Sequence, residues 1–170
     1  MAMLPATGAA AAKPCPGASL RPTSANAAAV SAATLCLVNR IRAGAHLPAL
    51  RVNRELAAVA GEQVHQMVRL DYFADVRPGG QTPLTLVANT RYPAHAASIS
   101  VGQNIAWATG SYATAAQVVA AWMASPPHRA IILTTTWRDT GAAVAPAAPA
   151  RLADGERGAT YAMEFATRRG

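Results

Sequence analysis

The stretch Ser125-Pro126-Pro127-His128 places an imidazole behind a serine and two prolines, at the start of the apolar run Ala130 to Leu133. Ser125 can cap a helix there, and Pro126 suits its first position, where a proline loses no needed N–H and its fixed φ is already helical. His128 then projects from a stiff helix start. Such a group can bind a ligand, act as a base, or stay half-buried and tie a loop down. Ser125 and His128 lie three residues apart on one helical turn, so the pair can be drawn as nucleophile and base, with Asp75 orienting the ring and Ser111 as an alternative nucleophile. Two features oppose that reading: capping would commit the Ser125 oxygen to backbone N–H groups, and no oxyanion-hole donors accompany it.

The other three histidines offer less. Glu62 and His65, three apart on a helical pattern, resemble half of a di-iron pair. Such a site needs a second pair and further glutamates from other helices, so an exposed helix face is expected. His46 and His95 stand in loops beside prolines and alanines without acidic neighbours and are expected at the surface. The chain has no GxGxxG, GxxxxGK[ST], GxSxG or HExxH, so phosphate loops, hydrolase elbows and zincin chemistry lack support. Asp75 and Gln103, both in loop-like surroundings, remain as candidate companions of His128.

The elements that must position these groups can be read from periodicity. Residues 1–25, rich in Ala, Pro and Gly, form an arm, and residues 26–170 form a single domain. Asn26 is expected to cap a first helix that buries Val30, Ala33, Leu37, Val38 and Ile41, and Asn53 a second that buries Leu56, Val59, Ala60, Val64, Met67 and Val68. From Asp71 to Tyr112 turn residues dominate, broken by a β-like run around Ser98 to Trp107. Thr114 with Gln117 forms a capping box for a third helix carrying Val118, Val119, Trp122 and Met123 inward. Two strands close the chain, roughly 140–146 and 160–167. In the second, Tyr161, Met163 and Phe165 alternate against Thr160, Ala162 and Glu164. Helices first and a hairpin last predict an α+β fold with an antiparallel sheet.

Composition bounds the class. With 170 residues, 52% hydrophobic but only 5% aromatic, the chain is expected to build its core from closely approaching helices and strands rich in alanine. The net charge of +7 comes from arginines scattered singly, with Lys13 the one lysine, so nucleic acid is not an expected partner. No run of about 18 apolar residues predicts a membrane span. Cys15 and Cys36 have no CxxC spacing; a bridge pinning the arm, contributing about 3 kcal/mol and implying an oxidising compartment, is favoured over a free buried Cys36. Residues 1–14 lack the charged and leucine-rich regions of an intact signal peptide, so export is expected to rely on a segment absent from this chain.

Five blocks in register resemble one known family: Asn-Arg-Ile-Arg-Ala-Gly at 39–44, Leu-Pro-Ala-Leu at 47–50, Gly-Gln-Asn-Ile-Ala at 102–106, Ala-Trp-Met-Ala-Ser-Pro-Pro-His-Arg-Ala-Ile-Ile-Leu at 121–133, and the strand Tyr161 to Phe165. Together they resemble the bacterial, SCP-like extracellular branch of the CAP superfamily (cysteine-rich secretory proteins, antigen 5 and pathogenesis-related 1), over about residues 26–167. The resemblance implies a three-layer α-β-α sandwich, secretion, and a cleft where two histidines and one or two acidic residues hold a divalent ion, often zinc. Carried over by position, His128 keeps one family histidine, whereas the other falls on Asp75, the glutamate of Gly-Glu-Asn on Gln103, and a further acidic position on Ser125.

A neutral amide at Gln103 leaves Asp75 and His128 as the only weak candidate metal ligands, too few for zinc, so no cofactor is expected and a zinc or other divalent site is disfavoured. Instead Asp75 and His128 are expected to share a charge-assisted hydrogen bond bridged by Gln103. The cleft set is therefore Asp75, Gln103, Ser125 and His128. The resulting expectation is a monomeric, secreted, non-enzymatic module that meets a small apolar or peptide ligand or an envelope surface. Trp107 and Tyr112 could edge the guest site, whereas Trp122, on a helical stripe, is expected in the core. The alternatives are a hydrolase or peptidase built on His128 with Ser125 or Asp75, and a weak divalent-metal-dependent activity.

Overall fold

The computed structural model describes residues 13–170. Six helices, α1 (Ala27–Gly44), α2 (Arg54–Arg69), α3 (Pro83–Ala88), α4 (Ala115–Ala124), α5 (Pro126–Ile132) and α6 (Ala150–Ala153), are interleaved with four strands, β1 (Arg51–Val52), β2 (Ser98–Thr109), β3 (Asp139–Ala145) and β4 (Gly158–Arg169). The strands form one sheet in the order β1-β3-β4-β2. β4 runs antiparallel to both β2 and β3. The sheet is not wholly antiparallel: the stub β1 pairs parallel with β3 at Asp139 and Thr140, inside what reads in sequence as a plain loop. Two residues carry too little pattern to announce a strand.

Helices cover both faces of the sheet, giving the expected three layers. On one face Val30, Ala33 and Val38 of α1 pack with Val118, Val119 and Trp122 of α4 against Tyr161, Met163 and Phe165 of β4. On the other, Ala60, Val64 and Met67 of α2 pack on Ile105, Ala145 and Ala162, and Leu56, Val59 and Val87 on Ala166. Every residue from Ala159 to Thr167 is therefore buried, and the expected polar face of β4 does not exist. Alternation by two separates the faces of a strand, but cannot say whether both are covered.

Local signals decide the helix starts unevenly. The Asn53 side chain caps α2, accepting from the N–H groups of Glu55 and Leu56. Asn26 does not cap α1; its Oδ1 accepts from the N–H of Thr23 at 2.7 Å and its amide donates to the Arg21 carbonyl, locking the turn before the helix. Thr114 caps α4 through the Gln117 N–H, the accepting half of the expected box. A reciprocal capping box does occur, at Thr82 and Thr85, and starts α3 inside the segment that reads as loop. α6 is likewise unannounced.

Cys15 and Cys36 are bridged, which pins the arm to α1, and Ala116 donates its N–H to the Ala18 carbonyl, which ties the same arm to α4. Expectations for residues 1–12 lie outside the described residues. Arg42, at the end of α1, is fully buried without a carboxylate. Its Nε donates to the Pro48 carbonyl and its Nη1 to the carbonyls of Ile132 and Thr134, at 2.8–3.0 Å. Burial, aided by repulsion from Arg138, lowers its pKa, yet the group stays charged because its normal value is so high. By holding the C-terminal carbonyls of α5, Arg42 fixes the short helix that carries His128.

Candidate functional site

The tripeptide Gly102-Gln103-Asn104 of β2 divides its side chains between the two faces of the edge strand. On the α5 face, a Cβ on Gly102 would come within 2.9 Å of the Trp137 ring and 3.3 Å of Ile131, so only glycine lets this layer close. Asn104, on the same face, donates from Nδ2 to the His128 carbonyl at 3.1 Å and anchors α5 to the sheet. Gln103 points the other way, toward α2. Across β4 it faces Glu164, and Glu164 in turn faces Gly141 of β3, a row across three strands.

Glu164 is the functional group that sequence reasoning missed. Its side chain is fully buried, and its Oε1 accepts from Gln103 Nε2 at 2.5 Å, while Oε2 has no hydrogen-bond partner among the described residues. Burial pushes its pKa up to about 8; the Gln103 bond and nearby Arg77 oppose that rise, and Asp75 adds to it. At neutral pH the group is mostly the uncharged acid. Arg77, also buried, donates from Nε to Gln63 Oε1 at 2.9 Å, and the Gln63 amide donates to the Ala74 carbonyl, which braces the loop bearing Asp75. The available signal was an acidic residue within the run Thr160 to Thr167, where every other side chain is apolar or a threonine.

The remaining members sit as follows. His128 is half-buried, and its Nδ1 lies 2.7 Å from Ser125 Oγ. Ser125 does start α5, with Pro126 and Pro127 in the first turn, but its hydroxyl makes no capping bond because the imidazole takes it. Asp75 is exposed at the rim; partial desolvation raises its carboxyl and the charge of His128 pulls it back. Asp75 is thus within electrostatic reach of both His128 and Glu164. The expected hydrogen bond from Asp75 to His128 through Gln103 is not formed among the described residues: His128 Nδ1 meets Ser125, and Gln103 turns its amide N–H to Glu164 while its Oε1 has no partner.

Among the described residues no three His, Cys, Asp or Glu side chains stand close enough to share a metal ion. Gln103, a neutral amide, is turned toward Glu164.

The family model described as the cysteine-rich secretory protein family, CAP, matches residues 35–152, well over half of the chain. This chain belongs to the CAP family. Solved structures with similar folds include an outer surface protein of Borrelia burgdorferi (TM-score 0.61, 18% identity, covering 79% of this chain and 90% of that one). An extracellular SCP-domain protein of Bacillus anthracis gives TM-score 0.60 at 21% identity, covering 86% of this chain and 41% of that one. A cysteine-rich secretory protein of Staphylococcus aureus gives 0.58 at 16%, covering 85% and 40%. This CAP chain thus spans about two fifths of the length of the last two proteins. Comparison with curated protein sequences gives no match.

Elsewhere in this CAP domain, Glu62 and His65 are exposed on α2, and Glu62 accepts from Gln66 at 2.8 Å. His46 and His95 are exposed, at positive φ of 57° and 65°. Trp122 is in the core, donating from its indole N–H to the Ile105 carbonyl at 3.0 Å. Trp107 and Tyr112 instead edge a groove of about 490 Å³ along the alanine face of α4, and His128 is not part of its lining. Tyr112 is 67% exposed. Among the described residues no helix is long and apolar enough to cross a membrane.

Proposed function

We propose that this CAP protein acts outside the cell as a non-enzymatic binding module, with a cleft whose metal chemistry has been lost and an apolar groove that takes the guest. The observation that carries the first half is the Gln103–Glu164 bond: the open edge strand presents a neutral amide, and the carboxyl group it meets is buried on the central strand. What remains in the cleft is one imidazole and one exposed carboxylate. The groove beside Trp107 and Tyr112 supports the second half, since its aromatic edges and alanine floor expose apolar surface to a small apolar or peptide ligand. The extracellular descriptions of the B. anthracis protein and of the Borrelia surface protein, and the disulfide, support the location. Chelator-treated protein titrated with zinc in a calorimeter should show no binding tighter than roughly micromolar, some −8 kcal/mol. A submicromolar site abolished by His128→Ala would overturn the reading.

A second reading, hydrolysis by Ser125, is favoured by the 2.7 Å contact between its hydroxyl and His128. It lacks a bonded orienting group, because Asp75 reaches the imidazole only through charge. The two readings separate with a fluorophosphonate probe: the binding module leaves the protein unlabelled, whereas labelling lost in Ser125→Ala would establish the hydrolase.

A further inference from the structure

We propose that the cavity under the disulfide-pinned arm is an anion site for a phosphate-bearing ligand. The cavity measures about 420 Å³ and shares no lining residue with the groove beside Trp107 and Tyr112. Arg21, Thr23 and Ser24 form one wall, and Gly110, Pro146 and Arg157 help form the others. Each side therefore contributes one arginine. The ion pairs of the described residues are Arg51–Asp139, Arg54–Glu55 and Arg151–Asp71, so neither Arg21 nor Arg157 is neutralised by one. Residues 1–12 contain no Asp or Glu that could do so.

One carboxylate does approach: Glu156 Oε2 lies 3.9 Å from the point where a Gly110 Cβ would stand. Glu156 is exposed, so solvent screens it and leaves the cavity net positive. The Thr23 and Ser24 hydroxyls make no hydrogen bond among the described residues and are available as donors. Two glycines shape the backbone of the walls: Gly110 takes φ +56°, and Gly158 lies so close to β2 that a Cβ would meet the Ala108 carbonyl oxygen at 2.6 Å. Two forked guanidiniums with hydroxyl donors match the geometry of a tetrahedral oxyanion better than that of any cation or apolar guest. The wall bearing Arg21 is held in place twice, by the Cys15–Cys36 bridge and by the Ala116 to Ala18 hydrogen bond. The net charge of +7 draws anions to the surface from a distance.

Backbone amide NMR of the full chain, titrated with inorganic phosphate against chloride at constant ionic strength, tests the site. The expected result is saturable shifts at Ser24, Gly110 and Gly158 with a Kd of roughly 1 mM. Arg21→Gln and Arg157→Gln should each weaken binding about tenfold or more, and Glu156→Gln should tighten it. All three side chains are exposed, and an unchanged amide spectrum elsewhere confirms that the variants fold. Phosphatidylglycerol vesicles, with phosphatidylcholine as control, identify the source of the phosphate. Displacement from them by inorganic phosphate means a lipid headgroup enters the cavity; undisplaced or absent vesicle binding leaves a small phosphorylated solute as the ligand. Shifts that never saturate, or a response unchanged in both arginine variants, would overturn the proposal.

Discussion

Replacing Glu164 by glutamine should leave stability nearly unchanged around pH 4 and make the variant the more stable protein by roughly 3–5 kcal/mol above pH 8. Below the ordinary glutamate range the carboxyl is protonated in both folded and unfolded chains, so it costs nothing. Above that range the unfolded chain releases the proton, while the folded one, with its pKa pushed up to about 8, retains it. The native state therefore loses ground steadily between about pH 4.5 and 8, at about 1.4 kcal/mol per unit, and the loss is complete once the buried group ionises. Glutamine keeps the size and can still bond the Gln103 amide, but has no proton to lose. The shifts of Asp75 and the charge of Arg77 persist in both proteins and cancel in the comparison. Urea unfolding at pH 4.5, 6 and 8.5 measures the difference. A gap between parent and variant that stays constant across this range would mean that Glu164 ionises normally inside the fold.

The second large effect is steric. A Cβ added at Gly141 would stand 2.0 Å from the backbone nitrogen of Ala57 and 2.2 Å from the carbonyl carbon of Leu56. Both atoms belong to the main chain of α2, so no rotamer change can relieve the overlap; the helix must lift off the sheet. Gly141→Ala should cost more than about 4 kcal/mol, lowering Tm by roughly 10 °C or more or preventing folding. Gly44→Ala, at the end of α1, meets nothing within 4 Å and should be neutral or stabilising by up to about 1 kcal/mol. Thermal unfolding of the pair decides the point, and equal Tm values would show that α2 does not pack on β3 this closely. The same displacement would reach the site, because Gly141, Glu164 and Gln103 share one row under α2.

Much of the architecture is present in the sequence itself. The apolar stripes of α1, α2 and α4 repeat every three to four residues over long stretches, and such a pattern has one economical burial. Asn53 caps and Pro126 starts a helix because backbone geometry at those positions is local. The bridge between Cys15 and Cys36 and the core placement of Trp122 follow from pairing and periodicity. His128, Gln103 and Asp75 could be named because five blocks of residue types fall in register with a family.

What only the tertiary structure decided are choices between competing partners. Ser125 could bond backbone N–H groups or an imidazole, and the turn of α5 brings His128 Nδ1 to 2.7 Å. Gln103 could bridge Asp75 and His128, and strand pairing hands it Glu164 instead. Arg42 reads as a charged helix end, yet the nearby Pro48 carbonyl and the distant carbonyls of Ile132 and Thr134 surround it. Glu164 sits on a face that looks solvated in the strand pattern and is sealed by a helix more than ninety residues earlier. A side chain's chemistry is written at its own position; its desolvation and its partner are set by residues far along the chain, and no local period encodes them.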